Sequence, residues 1–133
     1  MSTPMSSIPE DFPIRTAVIE SGELNGFPWV AARAPIYGAV NGYVRLPDAH
    51  PWLSVENGYE IENSIPWGEI TYMAGNWIGF DSLHSGQYWP GEAEFKNRMF
   101  DTDTLMSPEM VIGWTKQLAQ EAHDFVFNGT YSI

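Results

Sequence analysis

"SPEMVIGWTKQLAQEAHDFVFNG", residues 107–129, is the stretch that settles the architecture. Ser107 is a good N-cap, Pro108 suits a first helical turn, and Glu109 complements the positive end of a helix dipole. Val111, Trp114, Leu118, Ala122 and Phe125 then recur at three- and four-residue steps, the period of one helix face. Asn128-Gly129 is a stop signal. The spacing predicts an amphipathic helix of about five turns, whose apolar stripe needs a sheet to cover it.

The chain before it supplies that sheet. "IRTAVIES" (14–21) and "FPWVAARA" (27–34) read as strands flanking the turn "GELNG" (22–26), where Asn25-Gly26 tolerates positive backbone angles. Pro28 confines the start of the second strand to an edge or entry position. A third strand runs from Gly42 to Leu46, and "DAHPWLSVENGYE" (48–60) is irregular. "IPWGEITYM" (65–73) reads as a strand with Ile70 and Tyr72 on one side and Glu69 and Thr71 on the other. It pairs in a hairpin with "GNWIGFD" (75–81). "GEAEFKNRM" (91–99) has the i,i+4 pairs Glu92/Lys96 and Glu94/Arg98 of a short helix. Strands first and a long helix last predict an α+β fold. It comprises a mainly antiparallel sheet of about five to six strands with the C-terminal amphipathic helix packed on one face. Residues 1–12, rich in Ser, Pro and Met, are expected as a flexible leader, and 13–133 as a single domain.

Composition bounds the function. The 133 residues suit one domain, and a hydrophobic content of 44% is that of a globular chain. Six Trp, six Tyr and seven Phe are present, and twelve of these rings fall between Phe27 and Trp89. They supply either a core of large side chains or a recognition surface. Seventeen acidic residues against six basic ones, a net charge of −11, leave no Lys/Arg cluster for a nucleic-acid backbone. Without cysteine there are no disulfides, thiolate metal sites or cysteine nucleophile, in keeping with a reducing cytoplasm. "MSTPMSSIPEDFP" is not patterned as a signal peptide, and no apolar run reaches the length of a membrane span.

Three segments carry a resemblance. "GYVRLPDAHPW" (42–52), "WGEITYM" (67–73) and "NWIGFDSLHSGQYWPG" (76–91) are similar to a pattern in a family of small proteins encoded by bacteriophages of actinobacteria. That pattern has a Gly-Tyr-Val strand, a His-Pro, a Gly-Gly-Leu-Thr-Tyr-like strand and a Trp-x-Gly-Phe-Asp-x-x-His-x-Gly segment before a C-terminal helix. The resemblance spans roughly residues 38–126 and implies a phage accessory protein acting in the host cytoplasm; it implies no mechanism. Two positions depart from it: Trp67 stands where a His is frequent, and Gln87 where an acid is frequent. If those positions form a metal or catalytic site in the family, this chain has lost half of it.

The chemistry-bearing residues concentrate in "GFDSLHSGQYWPG" (79–91). Asp81 and His84 flank one turn, and His50 follows a strand that can lie nearby. Carboxylate and imidazole are common metal ligands, with Glu69 as a possible fourth, so His50, Asp81 and His84 are the candidates for a metal-dependent hydrolase. The structural alternative is that Asp81 caps the turn and His84 locks it. Ser82 and Ser85 adjoin His84, but no Gly-x-Ser-x-Gly elbow and no phosphate-cradling loop is present. Arg33 and Arg45, two of few bases, can join Trp29, Tyr37, Tyr43, Trp52 and His84 in a pocket for an anionic planar ligand such as a nucleotide signal. Tyr88 and Trp89 extend that aromatic face.

Three functions follow as expectations. The first is a cofactor-free binding protein that modulates or sequesters a host protein or small defence signal through the aromatic face. The second is the hydrolase, and the third a structural, oligomeric phage protein with a large apolar interface.

Overall fold

The computed structural model describes residues 2–3, 9–13, 17–35, 38–84, 86–90 and 103–127. Eight strands occur among these residues: β1 (Ser2–Thr3), β2 (Val18–Leu24), β3 (Phe27–Arg33), β4 (Val40–Arg45), β5 (Tyr72–Ala74), β6 (Trp77–Phe80), β7 (Gln87–Tyr88) and β8 (Thr104–Leu105). One helix, α1 (Pro108–Phe127), follows them. The main sheet has the order β1-β2-β3-β4-β6-β5, antiparallel throughout. β7 and β8 form a separate two-stranded parallel pair. The α+β architecture is the one the sequence implies: an antiparallel sheet with the C-terminal helix on one face.

Local chemistry explains the strand ends. Asn25 and Gly26 turn β2 into β3 with φ of 53° and 85°, the doubly positive pair that a two-residue hairpin requires. Pro28 sits in β3 opposite Glu23, one residue before β4 begins to pair at Trp29, so its missing N–H removes no bond on that side. The register shifts between Val18 and Glu20, where a bulge sends Val18 to one face and Ile19 to the other.

Alternation sorts the strand residues onto two faces. Trp29, Ala31, Val44, Ile78 and Phe80 face α1, which buries Val111, Thr115, Leu118, Ala119 and Ala122 against them. The centre of the helix stripe is therefore smaller than its periodicity suggests, and Trp114 and Phe125 flank it half-buried. Close approach is the reason. A Cβ added to Gly42 would meet the Thr115 hydroxyl and stand 2.7 Å from the Phe80 ring, so β4 is bare where the helix crosses it. The segment 47–65 wraps the C-terminal half of α1, with the Ser64 N–H and hydroxyl both bound to the Glu121 carboxylate.

The opposite face carries Val18, Val30, Ala32, Tyr43, Trp77 and, from the leader expected over residues 1–12, Phe12. Phe12 is buried against Tyr43 and Trp77 at ring separations of 5.2 and 4.7 Å. Asp11 beside it accepts from Arg45 Nε at 2.7 Å and from Trp77 Nε1 at 3.1 Å.

The strand expected at 65–73 is mostly a turn. Pro66 and Trp67 form it, Gly68 N–H donates to the Ile65 carbonyl, and only Tyr72–Ala74 pairs with β6. Ile70 consequently enters the helix-side core, whereas Tyr72 packs on Tyr43 across the sheet, so the two do not share a side. The helix expected at 91–99 and the stop at Asn128-Gly129 lie outside the described residues.

Candidate functional site

The structure separates His50 from the other two hydrolase candidates, Asp81 and His84. His50 follows the end of β4, where it caps the single turn Pro51–Ser54: the Trp52 N–H donates to Nδ1 at 3.0 Å. Its Nε2 lies 2.8 Å from the Ala122 carbonyl. With Nδ1 accepting, Nε2 carries the proton and donates to α1. Burial pushes the His50 pKa below the ordinary histidine value, against the opposing pull of that carbonyl. Asp81 stands at the other end of β4, beyond the Gly42–Phe80 pair. Five strand residues separate the two ends, roughly 16 Å. His50, Asp81 and His84 therefore do not converge, and Glu69 is an exposed loop residue. Among the described residues no group of three or more His, Asp or Glu side chains is placed to hold a metal ion.

The aromatic recognition face is also redistributed. Trp29, Trp52 and Trp89 are buried on the helix side, Tyr43 is buried on the opposite side, and Tyr88 is buried in β7. They are core residues because each ring fills space between layers that smaller side chains would leave empty. Trp89 Nε1 donates to the Ser82 carbonyl and Trp52 packs between His50 and Phe125. Arg33 and Arg45 do not share a pocket. Arg33 donates to the Gly38 carbonyl and lines a cavity of about 290 Å³ with Trp89 and Met106. Arg45 is paired with Asp11 and lines another of about 450 Å³ with Phe27, Pro47, His123 and Phe127. Tyr37 lies outside the described residues.

Asp81 and His84 do meet. His84 Nε2 lies 2.6 Å from Asp81 Oδ1, imidazole against carboxylate, without hydrogen-bond alignment. The turn that holds them is bound at several points. The Ser82 hydroxyl donates to the Val40 carbonyl, Gln87 N–H donates to the His84 carbonyl, and His84 N–H donates to Gln87 Oε1 at 3.0 Å. This last bond fixes the Gln87 amide with its Nε2 turned away from the backbone. Asn41 lies opposite Asp81 in register, on the same face as Tyr43 two residues on. Burial raises the Tyr43 pKa, the Asn41 amide opposes that, and Asp81 is close enough to add to it.

Four buried side-chain atoms among the described residues have no hydrogen-bond partner within the protein: Asn41 Oδ1, Asp81 Oδ1, His84 Nε2 and Gln87 Nε2. All four belong to this corner, and Gln87 is only 4% exposed. Buried polar atoms are ordinarily bonded, which singles this corner out, although Asp81 Oδ1 and His84 Nε2 face each other within 2.6 Å. Asn41 escapes a reading of sequence alone, since a lone amide has no motif, whereas Gln87 is marked there only as a departure from the resembled pattern. The available signal was register: Asn41 alternates onto the face of Tyr43, and Gln87 sits three residues beyond His84. Trp67, the other departure from the phage pattern, borders the same turn, with its ring 3.5 Å from where a Cβ on Gly86 would stand.

Ser82 is no nucleophile here, being fully buried with its hydroxyl committed to Val40. The corner thus combines one carboxylate, one imidazole and two amides, a set suited to hydrogen-bonding a molecule in place. No family model, curated protein or solved structure matches the chain.

Proposed function

We propose that this chain is a binding protein, not an enzyme, and that it holds a small molecule at the corner formed by Asn41, Asp81, His84 and Gln87. The observation that carries the reading is that, among the described residues, the buried side-chain atoms without an aligned hydrogen bond all lie at that corner, Asn41 Oδ1 and Gln87 Nε2 with none and Asp81 Oδ1 and His84 Nε2 facing each other across 2.6 Å. The resemblance to actinobacteriophage proteins supports the setting: an accessory protein that sequesters a small host component, such as a signal of host defence.

Native mass spectrometry tests this, on wild type and Gln87→Leu purified gently from an actinobacterial host. The expected result is a small organic adduct on the wild type that is lost from a folded variant. A bare mass for both proteins sinks the reading.

A host protein as partner is the second reading. It is favoured by Tyr59, 65% exposed, and Trp67, 36% exposed, on a segment that also exposes Glu56, Glu60, Glu62 and Glu69. Exposed rings amid carboxylates suit a basic partner surface. Host-protein capture that survives Gln87→Leu but is lost on Tyr59→Ser with Trp67→Ser would support it.

A further inference from the structure

At the far end of β4 from that corner, a cleft of about 450 Å³ lies between the β2–β3 turn and the last turns of α1, with Asn25, Phe27, Arg45, Pro47, His123 and Phe127 among its walls. The chain has seventeen acidic residues against six basic ones, yet no carboxylate lines this cleft, whereas an arginine and a histidine do. Arg45 gives its Nε to Asp11 at 2.7 Å, and its two Nη groups make no hydrogen bond among the described residues. Asp11 divides itself between that bond and Trp77 Nε1. His123 Nδ1–H donates to Asp124 Oδ1 at 3.1 Å. Phe127 stacks on the His123 ring at 4.7 Å with 23° between the planes, and Phe27 meets the same ring edge-on at 5.9 Å. Phe127 is 64% exposed, the one large apolar residue of α1 left mostly bare. Going beyond the corner, we infer that this cleft binds a planar aromatic carboxylate. The ring of the ligand lies against Phe127 and His123, and its carboxylate pairs with the Nη edge of Arg45.

Room, charge and shape select that class. The volume falls in the range of small-molecule sites, about 300–1,000 Å³. A guanidinium fork matches the two oxygens of a carboxylate, and a flat ring gains most from exposed aromatic faces. A cation would meet Arg45 and find no carboxylate among the lining residues. A carboxylate without a ring would leave Phe127 bare, and a neutral ring would leave the Nη groups to water. A phosphate carries nearly twice the charge of a carboxylate, so Asp11, Asp124 and the net charge of −11 repel it more strongly. The same two aspartates temper the pull of Arg45 and His123 on a carboxylate, which keeps the affinity for a single ring modest.

Benzoate, benzamide and acetate test this, since benzamide keeps the ring without the charge and acetate keeps the charge without the ring. Each is titrated at one ionic strength into the ¹⁵N-labelled full chain, following the Arg45 Nε–H and the backbone N–H signals of Gly26, Phe27, His123 and Phe127. Benzoate is expected to shift these signals with a dissociation constant in the millimolar range. Benzamide and acetate are each expected to bind at least about fivefold more weakly. Phe127→Ser, at an exposed position, is expected to weaken benzoate about fivefold while the urea midpoint stays in place. Benzamide matching benzoate overturns the role of Arg45, and acetate matching it overturns the role of the rings. Unchanged benzoate affinity in Phe127→Ser overturns the placement of the ligand. No shift of these signals by benzoate, or shifts confined to Asn41, Asp81, His84 and Gln87, overturns the site itself and leaves the binding reading at the corner to its own test.

Discussion

His50 Nε2 donates to the carbonyl of Ala122 across 2.8 Å, joining the segment after β4 to the helix seventy-two residues later in the chain. The ring also accepts from Trp52 N–H, and it packs near Phe27 and Phe125. A neutral imidazole is required for both bonds, and burial depresses its pKa. The unfolded chain takes up the proton first, near the ordinary value of about 6.5. This contribution to stability is therefore fully present above that pH and is lost as pH falls toward the depressed folded value. Urea unfolding between pH 5 and pH 8, ranges set by that ordinary value, should show stability declining on acidification, with a shallower decline in His50→Leu. The substitution itself should cost about 3 kcal/mol, from the Ala122 carbonyl and Trp52 N–H left unpaired.

The bare backbone at Gly42 sets the distance between sheet and helix. A methyl there meets the Thr115 hydroxyl and the Phe80 ring, and neither has free space to retreat into, since both residues are buried. Gly42→Ala should cost about 2 kcal/mol or more by overpacking. Adding Thr115→Ala should recover part of that loss but not all, because Phe80 remains 2.7 Å away. Denaturant midpoints of the two single variants and the double variant measure the coupling.

The elements that were legible in the sequence are those whose signal is local. The helix from Pro108 shows in its cap and its apolar period, and β2 to β3 in Asn25-Gly26. What misled was side-chain size. Trp29, Trp52, Tyr88 and Trp89 read as a recognition face because large aromatics do dominate interfaces, yet the same area makes them core residues once two layers close over them. Periodicity likewise favoured Trp114 and Phe125 for the helix stripe, although contact with β4 selects Thr115 and Ala119. Asp81 and His84 were visible as a pair, because they share one turn. Of their neighbours, Asn41 was not, and Gln87 showed only as a departure from a pattern. Asn41 reaches Asp81 only through strand register, and the use of Gln87 follows from which end of its amide the backbone holds.

Phe12 gives a sharp test of how far the N-terminal residues belong to the domain. The ring is 1% exposed and touches Tyr43 and Trp77, while Asp11 is held by Arg45 and Trp77. Burial pushes the Asp11 pKa up, but the bonds from Arg45 and Trp77 outweigh it and hold the carboxyl below its usual value. Phe12→Ala should cost about 3 kcal/mol, the loss of a buried aromatic. A substitution in a free leader would leave the urea midpoint unchanged, and that result would show the docking to be wrong.

Trp67 stands at φ 52°, a left-handed conformation that a bulky residue adopts at a cost. The turn around it is tied down, which is what holds it there. Asn63 Nδ2 donates to the Gly68 carbonyl at 2.8 Å, Asn63 Oδ1 accepts from Ile65 N–H at 2.9 Å, and the Trp67 ring lies 6.4 Å from that of Trp114. Removing the ring loses the Trp114 contact whatever replaces it, so two replacements compared with each other isolate the backbone. Trp67→Gly relieves the left-handed angle, and Trp67→Val keeps it with a β-branched side chain that tolerates it least. The valine variant should be less stable than the glycine variant by about 1–2 kcal/mol. Valine ranking equal to or above glycine in urea unfolding would mean that position 67 is not held left-handed, and the turn through Pro66 would have to be redrawn.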